Sequence, residues 1–262
     1  MISKRAGAWT LVSITLGCAV AFLLSPRIPQ PQAYHDFADH RARLGITNFN
    51  DVVSNLPFAI VGIWGWAFLA SKSSRAQFIQ HRERWPYFLM FLGLLWTAFG
   101  SAYYHLAPEN ARLVWDRLPM TIVFMPLVAA MIMERLDVAW GLRLLPIFMA
   151  IGIVSVIQWR ISEPRGVGDL RFYAAVQLYS VFAVLALLFV HPRYTRNSDF
   201  AWILLCYVLA KVFETADRTI FRLDGGFVSG HTLKHLAAGI AGYLILRMLQ
   251  KRRPYAELAS SS

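Results

Sequence analysis

Eight apolar runs, near residues 8–24, 52–70, 86–104, 118–133, 142–159, 172–190, 200–213 and 232–249, limit what this chain can fold into. A hydrocarbon core about 30 Å thick takes roughly 20 apolar residues of helix, and each run meets or nearly meets that length. In lipid every backbone amide must find its partner within the protein, which leaves helices or a closed barrel, and runs this long select helices. Composition agrees, with 57% hydrophobic and only 16% charged residues. The sequence predicts an all-α polytopic membrane protein, a seven-helix core bundle with one N-terminal transmembrane helix added.

The first run follows Lys4 and Arg5 and has the outline of a secretory signal. No small-residue cleavage site comes after it; Pro26, Pro29 and Pro31 do. It reads as an uncleaved signal-anchor helix with a proline-rich linker over 1–33. The seven-helix unit then covers 34–250, and 251–262 reads as a disordered cytoplasmic tail. Cys18 and Cys206 both fall inside predicted spans, so no disulfide framework is expected.

Net charge is +11, but the basic residues punctuate the spans instead of forming a patch for nucleic acid. With both termini cytoplasmic, fourteen lysines and arginines fall on the inner side and ten on the outer. That is the positive-inside orientation. Acidic residues lean outward, which points to chemistry on the outer face.

Five residues gather there on this topology: Ser101 and His105 in "GSAYYH", Asp116 in "WDRLPM", and His231 and His235 in "HTLKH". Residues four apart share a helix face, so Ser101 pairs with His105 and His231 with His235. Two imidazoles one turn apart, joined by a third from another helix, make the three-histidine donor set of catalytic zinc with one position open. Asp116 is then placed to orient or deprotonate a water, and Ser101 to donate to a developing oxyanion. Each element has a plainer reading: H-x-x-x-H alone is a weak motif, Asp116 three residues before Pro119 suits a helix start, and Ser101 suits helix packing. The conjunction favours a site. His35, His40, His81 and His191 lack such pairing and read as solvated, and Lys234 reads as a snorkelling side chain.

S-x-x-x-H, an aspartate eleven residues after that histidine, and a final-helix H-x-x-x-H together resemble the CREST superfamily of membrane hydrolases. Within it, "NFNDVVSNLPF", "WDRLPM" and "HTLKHLAAG" look most like alkaline ceramidases and their bacterial relatives, over roughly residues 34–249. The resemblance implies a zinc-dependent lipid hydrolase with His105, His231 and His235 as ligands, Ser101 and Asp116 in catalysis, and a ceramide amide as the bond cleaved. It also implies a calcium-binding stretch before the first core helix. There the match degrades, because Arg41 and Asn48 stand where a neutral ligand and a glutamate are expected beside Asp36 and Asp39, so calcium is doubtful and the guanidinium is a candidate replacement for the cation. Glu214 and Asp217 are candidates for steadying a ligand histidine, with pairing to Arg218 or Arg222 as the competing reading.

The expected function is amide cleavage in a ceramide-like membrane lipid. Alternatives are an esterase or phospholipase-type remodelling enzyme with the same zinc site, or a seven-helix lipid receptor or scaffold with structural zinc. A bacterial inner membrane with the site facing the periplasm is the expected location. Acyl length and oligomeric state leave no signature in the residues.

Overall fold

Helix α5 (Asn110–Arg135) is the axis of the molecule, and its sequence explains why: it carries Pro119 and Pro126 yet remains helical and largely buried. A proline removes the amide that would bond the carbonyl four residues earlier, here Trp115 and Ile122. Both freed carbonyls face glycines of the neighbouring helix α4 (Trp85–Leu106). A β-carbon on Gly100 would stand 1.9 Å from the Trp115 oxygen, and one on Gly93 would stand 2.9 Å from the Ile122 oxygen. Small residues thus let the two helices close where proline has bared the backbone.

The computed structural model describes residues 1–256. The remaining principal helices are α1 (Lys4–Leu24), α2 (Phe49–Val53), α3 (Leu56–Ala70), α6 (Val138–Ser162), α7 (Arg171–Leu188), α8 (Asp199–Thr215), α9 (Asp217–Leu223) and α10 (Gly230–Lys251). Among the described residues the only β-type pairings are isolated bridges, so the all-helical class expected from the apolar runs is what forms. Six helical segments are long and apolar enough to cross a membrane: those containing α1, α3, α4, α5, α6 and α7. Helices α8, with 17 residues, and α10, with 22, complete the bundle outside that group.

Packing runs as an arc. Helix α5 contacts α4, α6 and α7; α4 contacts α3; α3 contacts α10; and α10 contacts α8. The two ends of the arc, α7 and α8, therefore face each other across a cavity. Helix α1 lies on α7 with only Gly7 and Leu11 buried. The following segment ties back through the Leu170 amide, which donates to the Ile28 carbonyl at 2.8 Å.

Two predicted boundaries shift. Helix α5 begins at Asn110, eight residues before its apolar run, because its polar first turns are covered by neighbours that hydropathy cannot register. Asp116 therefore sits inside the helix, 8% exposed, and does not cap it. The expected disordered tail also starts too early at 251. Arg252 is fully buried, bonded to Glu134 and to the Gln77 carbonyl at 3.0 Å, and stacked 4.1 Å from the Tyr194 ring centre. The rest of that tail, 257–262, lies outside the described residues.

Candidate metal centre

His105 occupies the last turn of α4, and His231 and His235 the first two turns of α10, so helix ends and not loops carry all three rings. Each is buried, and one ligand atom from each lies within 4.8 Å of the others. Nε2 of His231 and Nε2 of His105 stand 3.2 Å apart. Tetrahedral ligands at ~2.05 Å from a zinc ion are about 3.3 Å apart, so this separation fits a shared ion.

The surrounding residues fix the inward nitrogen of His235 and the backbone that carries the other two rings. Ser54 Oγ lies 2.8 Å from Nδ1 of His235 and donates its own proton to the Asp51 carbonyl at 3.1 Å. Oγ must then accept from Nδ1–H, which leaves the lone pair of His235 on Nε2. Asn48, held in a left-handed conformation with φ 47°, donates from Nδ2 to the His105 carbonyl at 2.8 Å. Asp51 accepts from Thr232 Oγ1 at 2.7 Å and Ser229 Oγ at 3.2 Å, joining α2 to the start of α10. Ser229 also caps α10 by accepting from the Thr232 amide. Gly230 is required beside it, since a β-carbon there would meet the Phe213 carbonyl at 2.2 Å. Phe37 covers the rings from outside, 4.2 Å from the His231 centre and 4.8 Å from that of His105. His235 is thus oriented through its ring, His105 and His231 through their backbone and Phe37, and the three buried imidazoles form a donor set that could hold a metal ion.

Below the histidines the cavity between α7 and α8 holds about 410 Å³. Its long wall is apolar, and its polar end collects Ser101, Asp116, His235, Glu214 and Lys234. Ser101 is 1% exposed, and its Oγ has no hydrogen-bond partner among the described residues.

Other predicted residues do different work. Asp217 does not touch a histidine ring; its carboxylate accepts from the His231 amide and the Ala38 amide, both at 2.8 Å, which fixes the start of α10 by its backbone. Glu214 accepts from Lys234 Nζ at 2.9 Å and Lys211 Nζ at 2.7 Å, so it steadies lysines and not a ligand histidine. Lys234 accordingly lines the cavity and does not snorkel. His35 is not a solvated residue either, its ring joining Tyr104 Oη and Asn110 Oδ1 at 2.8 Å each. His40, His81 and His191 are exposed.

At the calcium-like stretch, Arg41 grips both oxygens of Asp39 at 2.7 Å, and Asn50 donates to one of them at 2.8 Å. Burial pushes the Asp39 carboxyl up, but these hydrogen bonds outweigh it and hold the group below the usual carboxylate range. Asp36 is exposed and pairs with Arg218 at 2.5 Å, and Asn48 serves the His105 carbonyl. Among the described residues the three histidines are the one cluster of metal-ligating type.

The sequence reading passed over Asp51 and Ser54 as site residues. Their signal was the run "NFNDVVSN", polar groups at helical spacing at the mouth of a membrane span. The chain matches no family model and no curated protein sequence, so the reading of this centre rests on its own geometry.

Proposed function

We propose that the protein is a zinc-dependent integral-membrane hydrolase that cleaves the amide bond of a ceramide-like lipid. The observation that carries this reading is a buried cluster of three imidazoles, one of which, His235, lines the polar end of a deep apolar cavity. A cavity of this volume suits one lipid chain or a folded pair of chains. The facing helices α7 and α8 give a lipid a lateral way in.

His105, His231 and His235 would hold the zinc ion, which would supply a water acidic enough to give hydroxide at neutral pH. Asp116 accepts the proton released as the water attacks and returns it to the departing nitrogen. An amine leaves poorly without that proton, so an acid beside the centre meets a requirement of amide cleavage. Ser101 Oγ, which has no hydrogen-bond partner among the described residues, donates to the scissile carbonyl oxygen as charge develops there. The apolar walls along α5, α7, α8 and α10 hold the acyl chain and keep bulk water from the reacting carbon.

In this proposal eight helices span a bacterial inner membrane, both termini are cytoplasmic, and the site faces the periplasm. The start of α5, the start of α10 and the end of α4 then lie together at the outer end, and the Arg252–Glu134 pair lies at the inner end.

Incubation of the purified protein with long-chain lipid amides and matched esters, read by mass spectrometry, tests the reading. Fatty acid should be released from the amides, release should stop with a chelator, and Asp116→Ala should be inactive while still loaded with zinc. Absence of turnover on both substrate classes by metal-loaded protein would sink it.

A further inference from the structure

Arg117 follows Asp116 on α5 and lines the same cavity, yet the hydrolytic reading gives it no task. It is 6% exposed. Its guanidinium is packed among aromatic rings, 4.5 Å from the centre of Trp159, 5.1 Å from Tyr173 and 5.5 Å from Tyr34. One side-chain acceptor reaches it: Gln30 Oε1, from the linker after α1, takes a hydrogen bond from Nη2 at 2.5 Å. Nη1 is buried with no partner, and among the described residues no carboxylate lies within 4.0 Å of the group.

That is an unusual way to bury a charge. A guanidinium brings five donors and a permanent positive charge, and aromatic faces attract the cation without satisfying its N–H groups. Arg252, the fully buried arginine at the other end of the bundle, has the carboxylate of Glu134. The two lysines on the cavity wall share Glu214. Among the described residues Arg117 has only a neutral amide in direct contact, with the Asp116 carboxylate acting on it from beyond ion-pair distance. Five charged residues line the cavity: the cations Arg117, Lys211 and Lys234, and the carboxylates Asp116 and Glu214. The cavity therefore carries one positive charge in excess, and Arg117 is the cation there with no carboxylate within 4.0 Å among the described residues.

We infer that Arg117 is an anion-binding subsite of the lipid cavity, taking a carboxylate or phosphate carried on an apolar chain. The planar fork offers two parallel donors to such a group, and the low-dielectric walls strengthen the contact. The oxyanion comes either from the head group of an intact lipid or from the carboxylate of a released fatty acid; the chemistry is shared. This deepens the proposed function by naming the charge class of its lipid, but the subsite binds whether or not turnover occurs.

Binding of dodecyl phosphate, laurate and dodecanol to the purified full-length protein in a neutral detergent, followed by calorimetry, tests it. Both anions should bind about tenfold or more tightly than the alcohol, the scale of a charged hydrogen bond. The stronger of the two anions identifies the source, phosphate for a head group and laurate for a product acid. The preference should survive in His231→Ala, which removes a metal ligand, and should vanish in Arg117→Gln checked for unchanged zinc content. Gln30→Glu, nearly isosteric, gives the guanidinium a built-in counter-ion and should abolish the preference even if Arg117→Gln does not fold. Equal binding of anions and alcohol by the native protein overturns the subsite. So does a preference lost in His231→Ala, which would assign the anion to the metal, or one retained in Gln30→Glu. None of these outcomes depends on hydrolysis, so the two proposals can fail separately.

Discussion

Ser54 and His235, 181 positions apart in the chain, meet at 2.8 Å, and the hydroxyl fixes which nitrogen of the imidazole is left to bind. Groups that orient a ligand histidine in this way typically contribute about 10- to 100-fold to metal affinity. Ser54→Ala should therefore weaken zinc binding by about that factor, measured by competition with a chromogenic chelator. Its helix content should stay unchanged.

Removing a ligand should do more. Purified protein should carry about one zinc per chain, and His231→Ala or His235→Ala should lose most of it by elemental analysis. Native metal content in either variant would defeat the assignment of the centre.

Gly100→Ala tests the seam between α4 and α5. The added methyl would stand 1.9 Å from the Trp115 carbonyl, a backbone atom that cannot swing aside. Overpacking of this kind costs about 1–3 kcal/mol. The melting temperature in detergent should fall by several degrees. Gly17→Ala, where nothing lies within 4 Å of the new atom, should not lower it.

Asp39 gives the fold an acid-sensitive contact. Its folded-state pKa lies below the unfolded value of about 3.9, so its stabilisation is fully present above that value. It is lost as pH falls through the folded pKa. Thermal melts from pH 6 down to pH 2 should show this loss in the native protein and a shallower one in Asp39→Asn. Because Arg41 occupies both carboxylate oxygens, Arg41→Ala should lower the melting temperature at neutral pH, whereas added calcium should not raise that of the native protein.

Much of the architecture was legible because it is local. Apolar runs write helices directly, and the i, i+4 spacing of His231 and His235 placed them on one face before any contact was known. His105 joined them because α4 ends where its apolar run ends. What escaped was set by contacts between distant segments: Asp51 reaching Thr232, Lys234 pairing with Glu214, Arg252 drawn from the tail into Glu134. A hydropathy window sees each of those charges alone and sends it to water or to the membrane surface. The early start of α5 was missed for the same reason, since "NARLVWDR" is polar only until its partners arrive.

The paired prolines and glycines of α5 and α4 work as a vernier. The two bared carbonyls, seven residues apart, each require a neighbour without a side chain, and α4 supplies such neighbours at the same interval. Sliding one rod past the other by a turn would bring both oxygens against bulkier residues at once. The heights of His105 and Asp116 are therefore indexed to each other by the backbone itself, and the separation of imidazole and acid is set by the seam alone.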